Sequence, residues 1–206
     1  MNEYRNRLIN GLAHVLEHEH KTLASITIAD IVAASKVSKR TFYENFNSKE
    51  QCFLALYEQN SYRILNKVIA LSQQHATQAE ATLESIVHQV LSTYMQELLT
   101  RSSLMARLYI DILGVGQQGI EIKYQILLSY AQSIHSLLSA FKPFNSISTA
   151  QLLLFLSGTN EMALYHLNNV SVLSLEELQQ TIKQVMQVFI SSAAPLSGST
   201  SVSGAQ

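Results

Sequence analysis

The chain has 206 residues, of which 47% are hydrophobic and 14% charged, and its formal net charge is −1 at pH 7. This length allows one or two domains with a substantial apolar core. The single cysteine, Cys52, excludes an intramolecular disulfide and a multi-cysteine zinc site, and its apolar surroundings indicate a small core side chain. No apolar run reaches the roughly 18 residues of a membrane span, and the polar N-terminus is unlike a secretory signal, so we expect a cytoplasmic protein without a membrane partner.

Few helix-breaking residues interrupt the chain, which has two prolines and seven glycines. Long stretches without such residues favour an all-α fold. Apolar residues at helical spacing place a first helix at about residues 2–20. Thr27 begins a second helix, because its hydroxyl can accept the N3 amide hydrogen while the Asp30 carboxylate favours the positive helix end.

A third and a fourth helix are predicted on either side of a short turn. Ser38 begins the third helix, whose inner face carries Phe42 and Phe46. Ser48 and Gln51 fit an S-x-x-Q capping box at the start of the fourth. The apolar pattern of the fourth helix is long enough to leave the N-terminal unit and connect it to the rest of the chain.

Five further helical patterns follow a polar connection at residues 72–80. They are predicted at residues 80–101, 103–114, 119–141, 148–168 and 174–192. The tail from Pro195 is small and polar, which is typical of disorder. We therefore divide the chain into an N-terminal unit (1–50), a helical body (51–194) and a disordered tail (195–206).

Basic residues concentrate near the start of the chain. Between Lys36 and Lys49 there are four basic residues and one acid, Glu44, whereas beyond residue 50 there are seven basic and nine acidic residues. A basic cluster on an otherwise acidic body indicates a local surface that attracts a polyanion.

Three short helices, the second and third joined by a tight turn, are the components of a helix-turn-helix. Apolar residues on the back of the third helix leave polar and basic residues accessible on its front: Ser38, Lys39, Arg40, Thr41 and Tyr43. A recognition helix in the major groove of DNA needs this division. The pattern alone equally permits a small helical bundle with a solvated basic face.

The run TIADIVAASKVSKRTFYENFNSKEQCFLAL, residues 27–56, closely resembles the DNA-binding signature of the TetR family of bacterial transcriptional regulators. Its specific elements are a T-[IV]-x-x-[IL] helix start, V-S-x-x-T-[FL]-Y-x-x-F, and the S-K-E that follows. The resemblance implies an N-terminal three-helix DNA-binding domain joined by a long helix to an all-helical domain for dimerisation and ligand binding. It implies a double-stranded DNA operator as partner, and no cofactor is predicted.

The resemblance also assigns DNA contacts to individual residues. The recognition-helix positions are matched by Ser38, Lys39, Arg40, Thr41 and Tyr43, the phosphate-contacting positions by Tyr43 and Lys49, and the backbone-contacting helix start by Thr27. Lys36 stands where the family often has glycine. If that position needs a positive φ, a side chain costs about 1 kcal/mol, so Lys36 alters the turn slightly or adds a phosphate contact.

The last two helices are the predicted dimer interface. The segment LLLFLSGTNEMALYHL, residues 152–167, is apolar nearly all round, which implies burial on several sides, and the final helix keeps one apolar stripe. Two such helices can form a four-helix interface with their symmetry mates, and a dimer suits a reader of two DNA half-sites. Alternatively, these helices only close the core of the monomer.

Polar and polarizable side chains inside the apolar stripes of the body are candidates for a small-molecule pocket. They are Met105, Tyr109, Tyr124, His135, Phe155, Glu161, Met162, Tyr165 and His166. The same residue types at helical spacing are also ordinary core residues, and Glu161 and His166 fit an interhelical pair.

One cluster of metal-binding residue types, Glu17-His18-Glu19-His20, lies at the end of the first predicted helix. Adjacent helical residues diverge by about 100° and cannot all converge on one ion. We interpret the cluster as a solvated helix end and predict no metal site.

Together these patterns predict a homodimeric, sequence-specific DNA-binding regulator, specifically a repressor that an unidentified small-molecule effector releases from its operator. An activator, or a DNA-binding regulator controlled by a partner protein, is the alternative. An enzyme is not predicted, since the chain has no G-x-S-x-G, no H-E-x-x-H and no phosphate-binding glycine loop.

Overall fold

The computed structural model describes residues 3–19, 21–78, 80–139, 147–170 and 172–192. All regular structure in these ranges is helical: α1 (Glu3–His18), α2 (Ile28–Ser35), α3 (Lys39–Tyr43), α4 (Lys49–Ala76), α5 (Leu83–Thr100), α6 (Ser102–Gly114), α7 (Gln117–Leu138), α8 (Thr149–Leu167) and α9 (Leu175–Ser192). The all-α prediction is confirmed. The predicted disordered tail lies outside the described residues. Within them, no helix combines the length and hydropathy needed to cross a membrane.

Helix α1 connects the N-terminal unit to the body, because it packs against α2, α4 and α6. Helix α4 leaves the unit and packs on α5 and α7; α8 packs on α7, and α9 on α5 and α8. Buried apolar side chains form one continuous cluster through both parts. The predicted division at residue 50 therefore does not interrupt the core, and it stays a prediction about function.

Two helix ends differ from the sequence prediction. Helix α3 ends at Tyr43, where the side-chain amide of Asn45 donates to the Thr41 carbonyl at 2.8 Å and takes the place of a continuing backbone bond. Phe46 follows the helix but is still buried. Helix α4 continues to Ala76, five residues into the predicted polar connection, because its polar residues there are helix formers rather than breakers.

Local hydrogen bonds at the helix starts form largely as the sequence indicates. The Asp30 amide donates to the Thr27 hydroxyl at 3.2 Å, and the Thr27 amide donates to the Asp30 carboxylate at 2.8 Å, which completes a capping box. Hydrogen bonds from the Thr27 amide and from the Thr27 hydroxyl to the Asp30 carboxylate lower the pKa of Asp30 to about 2. At α4 the Gln51 amide donates to the Ser48 hydroxyl at 3.2 Å, but the Gln51 side chain accepts from Asn47 instead of closing the box on Ser48.

Cys52 lies in α4 with no exposed surface, as predicted. Burial raises the pKa of its thiol to about 12. The side chain is therefore a neutral core residue and not a nucleophile.

Candidate nucleic-acid interface and interior cavity

Two arginines of α1, which the sequence did not single out, support the ends of α2 and α3. Arg7 Nη2 donates to the carbonyl oxygens of Ser35 and Lys36, both at 3.0 Å. Arg5 Nη1 donates to the Asn45 carbonyl oxygen at 3.0 Å, two residues after α3. Cations at helix C-termini satisfy carbonyls that have no intrahelical partner and oppose the helix dipole. Helix α1 therefore fixes the turn that places α3.

Lys36 adopts the left-handed conformation, with φ 53° and ψ 47°. The Val37 amide donates to the Val32 carbonyl at 3.1 Å and the Lys36 amide to the Ala33 carbonyl at 3.2 Å, which is a Schellman end of α2. Glycine would adopt this conformation about 1 kcal/mol more easily. The turn thus keeps the geometry that glycine favours, and the bond from Arg7 stabilises it.

The front of α3 is exposed while its back is buried. The Ser38 hydroxyl begins the helix by accepting the Thr41 amide at 3.0 Å. Lys39 and Arg40 are exposed, Tyr43 is 57% exposed, and Phe42 is fully buried. This is the division that the sequence predicted for a recognition helix.

Lys49 has a structural role that the sequence did not indicate. Its ammonium donates to the carbonyls of Leu23, Ala24 and Ile26 at 2.8, 3.0 and 2.8 Å. These bonds use its three N–H groups and hold the loop between α1 and α2 against the start of α4. The predicted phosphate contact of Lys49 stays a prediction, and in this structure its hydrogens are engaged within the protein.

Helix α6 ties the body to the same loop at two points. Near the C-terminal end of α6, Asp111 Oδ2 accepts the Leu23 amide at 2.9 Å. Just before α6 begins, the Arg101 guanidinium binds the carboxylate of Glu17 on α1. The hydrogen bond from Arg101 lowers the pKa of Glu17, so this carboxylate is charged at neutral pH. A displacement of α6 would therefore be transmitted directly to the end of α1 and to the loop before α2.

The Glu17 carboxylate of the Glu17–His20 cluster thus binds an arginine. The rings of His14 and His18 lie 4.6 Å apart, as expected of residues that share a helix face. Across the ranges that the structure covers, no three metal-binding side chains converge on one point.

A polar cluster lies inside the helical body. The hydroxyls of Tyr94 and Tyr109 are 2.7 Å apart, and both donate to Oδ1 of Asn160, Tyr109 at 3.2 Å. Burial raises the pKa of Tyr94 and of Tyr109, so both phenols are neutral. Nearby, Asn60 Nδ2 donates to the sulfur of Met105 at 3.1 Å. Helices α4, α5, α6 and α8 therefore meet around hydrogen-bonding groups instead of a purely apolar core.

A cavity of about 20 Å³ lies among these groups, which is room for about one water molecule. Its walls include Tyr57, Asn60, Tyr94, Tyr109 and Tyr130. The interior is thus polar and nearly closed in this structure. A drug-sized ligand, which needs roughly 300 Å³ or more, would enter only if the surrounding helices moved apart.

One family model matches the N-terminal part of the chain. Residues 17–56 match the family model of bacterial regulatory proteins, tetR family. The match covers the end of α1, all of α2 and α3 and the start of α4, so the N-terminal unit is similar to that family. The family's regulators act by binding DNA and are not enzymes, which agrees with the sequence prediction.

The whole chain shares its fold with solved regulators. The fatty acid degradation regulator FadR from Bacillus halodurans is similar with a TM-score of 0.71 and 15% identity, over 92% of this chain and 96% of that one. A TetR-family regulator from Syntrophomonas wolfei gives 0.70 and 17%, over 97% and 98%. The multidrug binding protein EbrR, solved with imidazole, gives 0.64 and 15%, over 92% and 96%. No curated protein sequence matches the chain.

The nine predicted ligand residues do not lie together. Met105 and Tyr109 line the interior cavity, whereas Phe155 and Met162 line a groove of about 300 Å³ between α8 and α9. The remaining five are exposed or half-buried elsewhere: Tyr124, His135, Glu161, Tyr165 and His166. The interior residues that the sequence missed, such as Asn160, carried one signal, a carboxamide within an apolar helix.

The proposed pair of Glu161 and His166 is not interhelical, because both residues lie on α8. Glu161 instead accepts a hydrogen bond from Tyr165, one turn further along the same helix, and this bond raises the pKa of Tyr165. The two residues belong to the outer surface of α8 and not to the cavity.

Proposed function

We propose that the chain is a homodimeric, sequence-specific transcriptional repressor that a small-molecule effector releases from its DNA operator. The observation that carries the proposal is the exposed, polar and basic front of α3, whose opposite face is apolar and buried. Two arginines of α1 hold the helix in place by binding backbone carbonyls at the ends of α2 and α3. Such a helix can enter the major groove, where its N-terminal residues reach base edges.

The proposed DNA contacts fall into two groups. Residues of α3 and its cap face the bases and adjoining phosphates: Ser38, Lys39, Arg40, Thr41 and Tyr43. Thr27, the cap of α2, and Lys36, in the turn before α3, meet the phosphate backbone. Lys49 adds its positive charge while its ammonium holds the α1–α2 loop. Phosphate contacts fix the register of the protein on DNA, and base contacts supply the specificity.

The proposed dimer forms through α8 and α9. Apolar side chains on their outer surface are uncovered in the single chain: Leu154 is 70% exposed, Val188 66% and Val185 44%. Leu154 and Val185 line the apolar groove between the two helices. Covering such a patch with its copy on a second chain is how symmetric dimers bury apolar surface.

The proposed effector site is the polar interior around Tyr94, Tyr109 and Asn160. An amide and two phenols in an apolar surround give a small organic molecule a few oriented hydrogen bonds. The named functions of two structural neighbours, fatty acid degradation control and multidrug binding, support an effector of this kind. Effector entry requires the helices to separate, and α6 passes that displacement to Leu23 and Glu17 through Asp111 and Arg101.

The test begins with the full-length protein and a pool of random DNA duplexes. We expect repeated selection to yield a two-fold symmetric site, and size measurement of the complex to give two chains per site. Compounds that raise the melting temperature are then added to the complex, and an effector is expected to release the DNA. A reporter gene behind the selected site rises in expression when the regulator is deleted if it is a repressor, and falls if it is an activator.

Failure to select any sequence would contradict DNA reading. Selection of a site together with DNA release by no stabilising compound would leave a DNA-binding regulator under the control of a partner protein, the alternative to effector release.

A further inference from the structure

One arginine of the recognition helix is held by a carboxylate one turn away. Arg40 Nε donates to Glu44 Oε1 at 2.9 Å, and the Glu44 amide donates to the Arg40 carbonyl at 3.0 Å. The two side chains are 89% and 56% exposed, so burial does not bring them together. An exposed pair of this kind adds little to folding stability.

The bond to Glu44 leaves the terminal groups of Arg40 available. It uses the Nε hydrogen, one of the five that a guanidinium donates, and leaves the hydrogens of both Nη atoms. One hydrogen from each Nη forms a planar fork that matches O6 and N7 of guanine in the major groove. Arg40 is also the second residue of α3, within the part of a recognition helix that meets base edges.

The same carboxylate disfavours the other common role of an arginine at DNA. Neutralising a phosphate depends on net positive charge, and the pair of Arg40 and Glu44 carries almost none. Recognition of a base edge depends on donor geometry, which the pair preserves. Lys36 and Lys39, beside the pair, have no ion-pair partner among the described residues and suit the phosphates better.

We infer that Glu44 is a positioning residue that holds Arg40 for reading one guanine in each half-site. The inference rests on the proposed DNA-binding function and adds to it the base that is read and the residue that orients the reader.

The experiment uses the full-length protein and the site that the wild type selects from random duplexes. We expect one G·C pair in each half-site that Arg40→Ala no longer prefers. Glu44→Ala is expected to reduce the preference for that pair over the other three by about tenfold to a hundredfold. It is also expected to bind random DNA more tightly, with a salt slope steeper by up to about 0.9, because the released Arg40 contacts a phosphate.

Glu44→Gln separates position from charge. Its carboxamide oxygen can still accept from Arg40 Nε, so the guanine preference is expected to return, while binding to random DNA stays tighter than in the wild type. A merely structural role of Glu44 would instead lower all DNA binding together with the melting temperature. Glu121→Ala removes one negative charge from the exposed side of α7, outside the DNA-binding unit and the proposed dimer helices, and is expected to change neither the preference nor the slope.

Three results would overturn the inference. Retention of the guanine preference in Glu44→Ala would show that Arg40 needs no positioning. Its retention in Arg40→Ala would show that Glu44 or another residue reads the pair directly. If the wild type selects no sequence at all, the proposed function fails as well, whereas the first two results leave that function intact.

Discussion

The N-terminal unit and the α8–α9 end of the body leave opposite kinds of surface uncovered. The N-terminal unit buries its phenylalanines and leucines, and α3 exposes a lysine, an arginine and a tyrosine. The α8–α9 end exposes Leu154 and Val185, which line an apolar groove, and also Val188. Water solvates the first surface well and the second poorly. The first surface therefore suits a charged partner that binds reversibly, and the second suits permanent contact with a second copy of the chain.

The two regions also differ in how closely their helices approach. In the N-terminal unit, a methyl group on Gly11 of α1 would lie 2.0 Å from Ser35 Oγ of α2. On α8, a methyl group on Gly158 would meet nothing within 4 Å. Helices α1 and α2 are thus in tight contact, while α8 has open space beside Gly158.

The largest expected effect comes from placing a charge on the uncovered apolar surface. Leu154→Arg would put an unpaired guanidinium into the proposed dimer interface, at a cost of about 3–5 kcal/mol if it is buried there. We expect the variant to sediment at half the mass of the wild type while keeping its helical circular dichroism. DNA affinity should fall with it, since a monomer reads one half-site.

Ile120→Arg is the matched control for that substitution. Ile120 is 50% exposed, on α7 and not on α8 or α9. The control is expected to remain dimeric. Dissociation of Ile120→Arg with an intact Leu154→Arg dimer would move the interface to α7.

The second prediction concerns the close contact of α1 and α2. Gly11→Ala is expected to destabilise the chain by about 1–3 kcal/mol, because Ser35 must give up its position and its 2.7 Å bond to the Ile31 carbonyl. Urea unfolding of the full-length protein measures the loss. Removing the obstructing oxygen with Ser35→Ala in the same chain should restore part of the stability, and absence of any recovery would show that the backbone is the obstacle.

The sequence predicted those features that depend on neighbours in the chain. The capping box at Thr27, the positive φ considered for Lys36, and the bounds of α5 to α9 within a few residues follow from local hydrogen bonds and apolar periodicity. The division of α3 into the exposed Arg40 and the buried Phe42 follows from the same periodicity.

Contacts across long stretches of chain were not predictable. The bonds of Lys49 reach carbonyls 23 to 26 residues earlier, and Tyr94 meets Asn160 across 66 residues. Neither residue type indicates its partner, because the pairing depends on how whole helices pack. The apolar composition of α8 indicated burial on several sides, yet Leu154 is mostly exposed, since one of those sides has no partner within the single chain.

A third prediction tests the packing of α4, the helix that leaves the N-terminal unit, on α5. Glu97 of α5 is buried and its carboxylate binds Arg63, at 2.6 Å, and Lys67, both on α4. The bonds from Lys67 and Arg63 lower the pKa of Glu97 despite its burial. Its contribution to stability is therefore complete above the unfolded pKa of about 4.3 and is lost as the pH falls through the lower folded pKa.

Glu97→Gln measures that contribution. We expect the variant to be about 1 kcal/mol less stable than the wild type at pH 7, since both cations are half exposed. The difference should shrink progressively below about pH 4.3 in urea unfolding. An equal difference at pH 3.5 and pH 7 would show that packing rather than charge is responsible.

The smallest expected effect uses the open space beside Gly158. In the Leu154→Arg background, Gly158→Ala is expected to stabilise the chain by about 0.5–1 kcal/mol, because alanine restricts the unfolded chain and nothing obstructs its methyl group. In the dimer, a partner helix packed against the same position would meet that methyl group, so the gain should disappear or reverse. Equal stabilisation in both backgrounds would mean that Gly158 stays uncovered in the dimer. In that case Gly158→Ala would stabilise the chain, unlike Gly11→Ala, because Gly158 faces solvent and not because the dimer leaves α8 uncovered in the single chain.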